Sequence, residues 1–310
     1  MHEPEKTTRK QRGRFAPSPT GQLHFGSLIA AVGSFLDARH HGEEWLVRIE
    51  DIDPPREVAH AADDILRSLE AFGMAWDGPV VYQSKRGNVY AAALNTLTLQ
   101  HRVYGCACTR KEIADSAMQA DSGAIYPGTC RKGLPKGRKA RALRVKVEPR
   151  EICLEDRLQG TFRQQLDRDA GDFIIRRADQ LIAYQLAVVA DDDEQGISRV
   201  VRGADLLEST PRQIYLQHLL GFHTPTYLHL PVATGLNGDK LSKQTRAQPV
   251  TADDRNRTIV DVLRFLNQTV PDSPDDATRD ELWEWAIDHW NASLIPAQRS
   301  MPAPARYISP

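Results

Sequence analysis

Two stretches hold the residues best suited to chemistry. The first is Arg14-Phe15-Ala16-Pro17-Ser18-Pro19-Thr20-Gly21-Gln22-Leu23-His24-Phe25-Gly26-Ser27. It reads as a short apolar strand, a turn broken by Pro17, Pro19 and Gly21, and a helix start, with Ser27 as the N-cap of the run Leu28-Ile29-Ala30-Ala31-Val32. Gly26 and Ser27 leave room for a ligand against the backbone. The N–H groups of a helix end attract phosphate, and His24 adds a side-chain donor. The second stretch, Lys240-Leu241-Ser242-Lys243-Gln244, follows the polar loop Gly235-Leu236-Asn237-Gly238-Asp239. Its two ammonium groups suit a loop that closes over a triphosphate and neutralises charge at the α-phosphate. Taken alone, the first stretch is equally at home as a plain turn, and the second is more often a solvated surface loop.

Other residues offer different chemistry. Arg14 and Arg202 stand at strand edges, and a guanidinium fork grips a carboxylate with two hydrogen bonds. Each by itself also suits a surface salt bridge, and Tyr184 a core. Cys106-x-Cys108 and Tyr126-x-x-x-Cys130 present three thiolates and a phenol, a donor set for tetrahedral zinc. Reduced structural cysteines are the alternative. Cys153 competes with Tyr126 as the fourth ligand, and is otherwise a small core residue.

The elements that position these groups follow from the apolar patterning. Strands are expected at 12–16, 45–49 and 80–82, and helices at 27–41, 56–72 and 86–102. That alternation predicts an α/β fold with a doubly wound parallel sheet, whose ligands sit at the carboxyl ends of the strands. Residues 103–170 break the rhythm and read as an insertion, with Leu143-Arg144-Val145-Lys146-Val147 a half-exposed strand. The sheet is expected to resume at Asp172–Arg176, with a strand over 197–201, a helix over 209–220 and a strand over 227–230. Helices are expected at 258–267 and 277–290, followed by an irregular Pro/Ala-rich end. The organisation is thus a disordered tail 1–11, a first catalytic half 12–102, the insertion 103–170, a second half 171–245 and a short helical segment 246–310.

Composition narrows the class. With a net charge of −1, RNA affinity must come from a local patch, and residues 131–150 supply one with nine Lys/Arg against one Glu. No apolar run is long enough to span a membrane, and the N-terminus lacks the apolar core of a secretory signal. Four cysteines in 310 residues make no disulfide framework, so a cytoplasmic protein is expected.

His24-Phe25-Gly26-Ser27 and Lys240-Leu241-Ser242-Lys243-Gln244 resemble the HIGH and KMSKS signatures of class I aminoacyl-tRNA synthetases. Val47-Arg48-Ile49-Glu50-Asp51-Ile52-Asp53, Val201-Arg202-Gly203-Ala204-Asp205 and Ser209-Thr210-Pro211-Arg212-Gln213 are similar to blocks of the glutamyl-tRNA synthetases, in the same order over about residues 12–245. The resemblance implies a Rossmann-like catalytic domain with an inserted zinc/acceptor-type subdomain. It implies that Arg14, Phe15, Ala16, Pro17, Ser18, Glu50, Tyr184 and Arg202 bind L-glutamate. Arg14, Tyr184 and Arg202 would face its side-chain carboxylate, and Glu50 with Ser18 its α-ammonium. Pro17, Gly21, His24, Gly26, Ser27, Lys240, Ser242 and Lys243 would bind ATP, with His24 and Lys243 catalytic and Mg²⁺ arriving with the ATP. The family also supports one structural zinc on Cys106, Cys108, Tyr126 and Cys130.

Only 66 residues follow Gln244, and residues 251–310 carry ten acids against six Lys/Arg. An ordinary basic anticodon-binding domain is not expected there. With Asp51-Ile52-Asp53-Pro54-Pro55-Arg56, this resembles the short branch of the family that transfers glutamate to queuosine in the anticodon of tRNA(Asp). The basic insertion would then touch the anticodon arm, and a monomer is expected. A truncated glutamyl-tRNA synthetase charging a 3′ end, or a non-catalytic RNA-binding relative, are the alternatives.

Overall fold

The computed structural model describes residues 10–116, 118–120, 123–235, 237–241, 249–251, 254–274 and 276–308. In chain order the first elements are β1 (Arg12–Phe15), α1 (Phe25–His40), β2 (Glu44–Ile49), α2 (Ala61–Phe72), β3 (Val81–Tyr82) and α3 (Gly87–Leu99). Then come β4 (Val103–Cys106), α4 (Arg110–Ser116), β5 (Met118–Ala120), β6 (Gly123–Ile125), β7 (Ala142–Val145), β8 (Glu151–Asp156), β9 (Gly160–Gln165) and the single turn α5 (Leu166–Asp169). The last group is β10 (Ile174–Arg176), α6 (Tyr184–Glu194), β11 (Arg199–Gly203), α7 (Thr210–Leu220), β12 (Thr226–Leu230), β13 (Val232–Thr234), α8 (Arg255–Phe265), α9 (Arg279–Asp288) and β14 (Ser300–Pro302).

β1, β2 and β3 pair in parallel, as do β11 and β12. The two groups meet where Arg12 O accepts the Ser198 N–H at 3.0 Å. Short apolar strands buried on both faces need helices on both sides. One core holds Val47, Ile49, Leu228 and Leu230 against α1. The other holds Val200 and Tyr227 against residues of α3, α6 and α7. α1 itself is buried nearly all round because α8 and α9 cover its outer side. Its Gly33 lets it press on β12: a Cβ there would stand 2.5 Å from Leu230 Cδ1.

Several expectations are corrected. The cap of α1 is His24, not Ser27, which sits three residues into a capping box. α2 starts at Ala61 rather than residue 56, because Pro54–Arg56 forms a separate 3₁₀ turn and His60 turns left-handed at φ 64°. β10 does not resume the parallel sheet; it pairs antiparallel with β7, as β4 does. β8 instead joins the β11–β12 sheet, pairing in parallel with β12 at Tyr227 and Asp156, with β9 beyond it. Arg144 and Val145 are buried, so β7 is not a half-exposed strand.

The chain end is docked rather than irregular. β14 pairs in parallel with β13, and the Tyr307 ring stacks on Phe25 with centroids 4.1 Å apart. Trp283 donates to Phe72 O at 2.8 Å. Asp37 of α1 takes both arms of Arg157 at 2.7 and 2.8 Å, and Trp290 Nε1 at 3.3 Å. The β13–β14 pairing, the buried Tyr307 ring and its hydrogen bond to Asp261 together hold a Pro-rich segment that has no periodicity of its own. No helix among the described residues is long and apolar enough to cross a membrane.

Candidate active site and metal centre

The carboxyl ends of β1, β2 and β11 open into a cleft of about 830 Å³. Arg14, Phe15, Ala16, Pro17, Ser18, His24, Gly26, Ser27, Glu50, Tyr184, Arg202 and Lys240 all line it. Phe15 borders it while its ring stacks on Trp45 in the core. Gly21 is not among the lining residues; it turns the chain beside them at φ 135°. Ser242 and Lys243 lie outside the described residues.

The two signature stretches meet across the cleft. Val250 donates to Leu23 O at 3.0 Å, and Leu241 donates to Ala233 O at 2.8 Å. A Cβ on Gly26 would stand 3.3 Å from Leu241 O and 3.2 Å from His24 Cε1, so the smallest residue stands where both stretches approach. His24 Nδ1 accepts the Ser27 N–H at 3.3 Å, which puts the ring proton on Nε2. Lys240 Nζ rests on Asp205 Oδ2 at 2.5 Å.

Three buried ionisable side chains, Arg14, Glu50 and Arg202, line the same cleft. Arg202 donates Nε–H to His229 Nε2 at 3.1 Å, and Nη2 to Thr210 Oγ1 and Gln213 Oε1, both at 2.8 Å. Its Nη1 is buried with no hydrogen-bond partner among the described residues. A buried guanidinium donor left unpaired costs free energy until an acceptor arrives. Arg14 donates Nε to Asp192 at 3.2 Å. Glu50 lies 3.4 Å from Arg48. Burial nevertheless pushes the Glu50 carboxyl above its ordinary range, against the pull of Arg48 and Arg14. Asp192 is held low despite its own burial, because Arg14 and Arg48 both face it. The geometry agrees: Arg48 Nη1 is 2.8 Å from Asp192 and farther from Glu50. Glu50 is thus the carboxylate left short of positive charge. Burial keeps the half-buried Tyr184 phenol protonated.

Sequence reasoning missed Arg48, Asp191, Asp192 and His229. The signals were present: four acids, Asp191 to Glu194, closing an otherwise apolar helix, and one histidine inside the apolar Tyr227–Leu230 run.

In the insertion, the Sγ atoms of Cys106, Cys108 and Cys130 lie within 4.8 Å of one another. Tyr126 Oη is 3.5 Å from Cys106 Sγ and 3.6 Å from Cys108 Sγ. The Arg144 guanidinium covers the Tyr126 ring at 3.7 Å. Burial raises the Cys106 thiol, but Tyr126 and Arg144 draw it down to about 7. The spacing and softness of these donors fit a tetrahedral metal. Cys153 stands apart: it is exposed on β8, its thiol on Glu155, and so is neither core nor near the cluster.

The basic segment is divided. Arg131 binds Asp172, Arg138 binds Glu112, and Arg144 is buried. Lys132, Lys136, Lys139 and Arg141 remain exposed.

The family model described as tRNA synthetases class I (E and Q), catalytic domain, matches residues 10–270. The chain belongs to that family. It is 60% identical to the Glutamyl-Q tRNA(Asp) synthetase of Dechloromonas aromatica (strain RCB), over 95% of this chain and 98% of that protein. It is 56% identical to the protein of the same name from Chromobacterium violaceum, over 92% and 95%. The crystal structure of the glutamate-tRNA synthetase from Elizabethkingia anophelis shares the fold, with TM-score 0.79 at 24% identity, over 96% of this chain and 69% of that one. This class I synthetase chain therefore has a catalytic α/β fold, and it is a ligase.

Proposed function

We propose that this synthetase activates L-glutamate with ATP and transfers it to the queuosine base in the anticodon of tRNA(Asp). The full-length likeness to the Glutamyl-Q tRNA(Asp) synthetases carries the reading. The unpaired Arg202 Nη1 supports an anionic side chain in the cleft. Arg202, with Tyr184 and the half-neutralised Arg14, receives the γ-carboxylate. Glu50, helped by Ser18, receives the α-ammonium. A neutral amide would leave Arg202 unpaired, so glutamine is disfavoured.

The glutamate α-carboxylate oxygen attacks the ATP α-phosphorus, and the bond to the β-phosphate oxygen breaks, giving glutamyl-adenylate and pyrophosphate. The carboxylate is already ionised, so no protein base is required; catalysis is positioning and charge stabilisation. His24 Nε2–H and the N-terminal amides of α1 face the phosphates, beside Pro17, Gly26 and Ser27. Lys240 exchanges Asp205 for phosphate, and Lys243 neutralises the leaving side, with Ser242 beside it. ATP is used with Mg²⁺, as in class I synthetases generally. A queuosine hydroxyl oxygen then attacks the glutamyl carbonyl and AMP leaves.

One zinc, held by Cys106, Cys108, Cys130 and Tyr126, stiffens an insertion whose own core is small. The exposed Lys132, Lys136, Lys139 and Arg141 make phosphate contacts to the RNA.

The deciding experiment supplies labelled glutamate and ATP with tRNA(Asp) that carries or lacks queuosine. Label appears only with queuosine, and nuclease digestion finds it in the anticodon fragment. Label on the terminal adenosine instead establishes 3′-end charging.

A further inference from the structure

The strongest unassigned group is a histidine with no exposed surface. His229 on β12 is the direct neighbour of Arg202 on β11 and is fully buried. Its Nδ1 lies 2.6 Å from Asp156 Oδ2, and its Nε2 lies 3.1 Å from both Arg202 Nε and Thr210 Oγ1. Asp156 closes β8, the strand that the insertion sets beside β12. The Asp156 carboxylate can only accept, so Nδ1 carries the proton and Nε2 presents a lone pair. That lone pair is the acceptor for Arg202 Nε–H.

We propose that His229, oriented by Asp156, is the positioning residue that turns Arg202 so that Nη1 meets the substrate side-chain carboxylate. Arg202 has five donor hydrogens. His229 takes one and Thr210 and Gln213 take those of Nη2, which leaves the Nη1 pair to the cleft. Rotating the guanidinium would break all three bonds at once. The groups facing the imidazole are Asp156, Arg202 and Asp205, with the Tyr227 ring stacked 5.9 Å away. Burial holds the His229 pKa below its usual value despite Asp156, so the ring stays neutral and keeps its lone pair. This role rests on Arg202 being the glutamate ligand.

Asp156 makes the arrangement testable by isosteric change. Its Oδ1 accepts the backbone N–H groups of His229, Leu158 and Gln159 at 3.2, 3.0 and 2.8 Å. Asn in its place must keep its carbonyl oxygen there, which turns the amide NH₂ toward Nδ1. The imidazole then carries its proton on Nε2, donor against donor with Arg202.

Glutamate-dependent ATP–pyrophosphate exchange is measured on the whole protein for His229→Asn, His229→Gln, Asp156→Asn and Arg202→Ala, each with a melting curve. Asn mimics the Nδ1 side of histidine and loses the acceptor at Nε2; Gln keeps an acceptor there. KM for glutamate should rise about tenfold or more in His229→Asn and Asp156→Asn, with KM for ATP unchanged, and no more than about threefold in His229→Gln. A parental glutamate KM in His229→Asn, or equal losses toward glutamate and ATP in all three, overturns the role of His229. An unaltered glutamate KM in Arg202→Ala overturns the assignment of Arg202 itself, and this role with it.

Discussion

His24 Nδ1 accepts the Ser27 backbone N–H at 3.3 Å, so the imidazole that borders the cleft is also the cap of helix α1. One ring nitrogen stabilises the helix, and in the proposed reaction the other donates toward phosphate. The two tasks separate by substitution. Asn is a good N-cap but places no donor at Nε2. His24→Asn should keep its melting temperature and lose about 10²-fold in kcat for pyrophosphate exchange. His24→Ala should lose that and also about 1 kcal/mol of stability. Equal melting temperatures for the two variants would deny the cap its energetic role.

Glu50 must be ionised to receive an ammonium, and burial raises its pKa. A raised pKa means that the proton returns at a higher pH than on an ordinary glutamate. The kcat/KM for glutamate, which reports the free enzyme, should therefore fall on the acid side along a limb displaced upward. Glu50→Gln should remove that limb and lower kcat/KM about 10- to 10²-fold at neutral pH. A variant that keeps the same acid limb assigns the limb to another group.

Metal analysis should find about one zinc per chain. It should be lost in Cys106→Ser and kept in Cys153→Ser, since Cys153 is exposed away from the cluster. Under the proposed structural role of the zinc, chelation should lower the melting temperature by about 5 °C. Metal-free protein with undiminished stability would dispose of the structural zinc.

Tyr307 stacks on Phe25, the first residue of α1 after its cap. Tyr307→Ala leaves a cavity there and should cost about 2–4 kcal/mol. Because α1 begins at the cleft, pyrophosphate exchange should fall as well, with ATP more affected than glutamate. Unfolding in denaturant together with KM for each substrate measures both effects. A cost below about 0.5 kcal/mol would mean that the tail is not part of the core.

The sequence by itself determined the elements whose signal is local. Pro17, Pro19 and Gly21 break the chain, Leu28 to Leu36 fill a helix, and the strands 45–49 and 227–230 are short apolar runs; all of these stand where patterning put them. Part of the cleft was legible too: chain order puts Arg14, His24, Glu50 and Arg202 at strand ends or a helix start, and the family resemblance gathered them into one site, where all four line the cleft. Tertiary structure decided the partners. Whether Arg14 is free or tied to Asp192, and whether Glu50 or Asp192 takes Arg48, depend on pairs more than a hundred positions apart. Which atom of Arg202 stays unpaired depends on how Thr210, Gln213 and His229, 8 to 27 positions on, are brought around it. It also decided that β10 joins the insertion, that Cys153 is exposed, and that a Pro-rich end packs on Phe25. Periodicity records how a segment divides between core and water. It does not record which other segment supplies the opposing charge, ring or strand edge, since that depends on long-range closure of the chain.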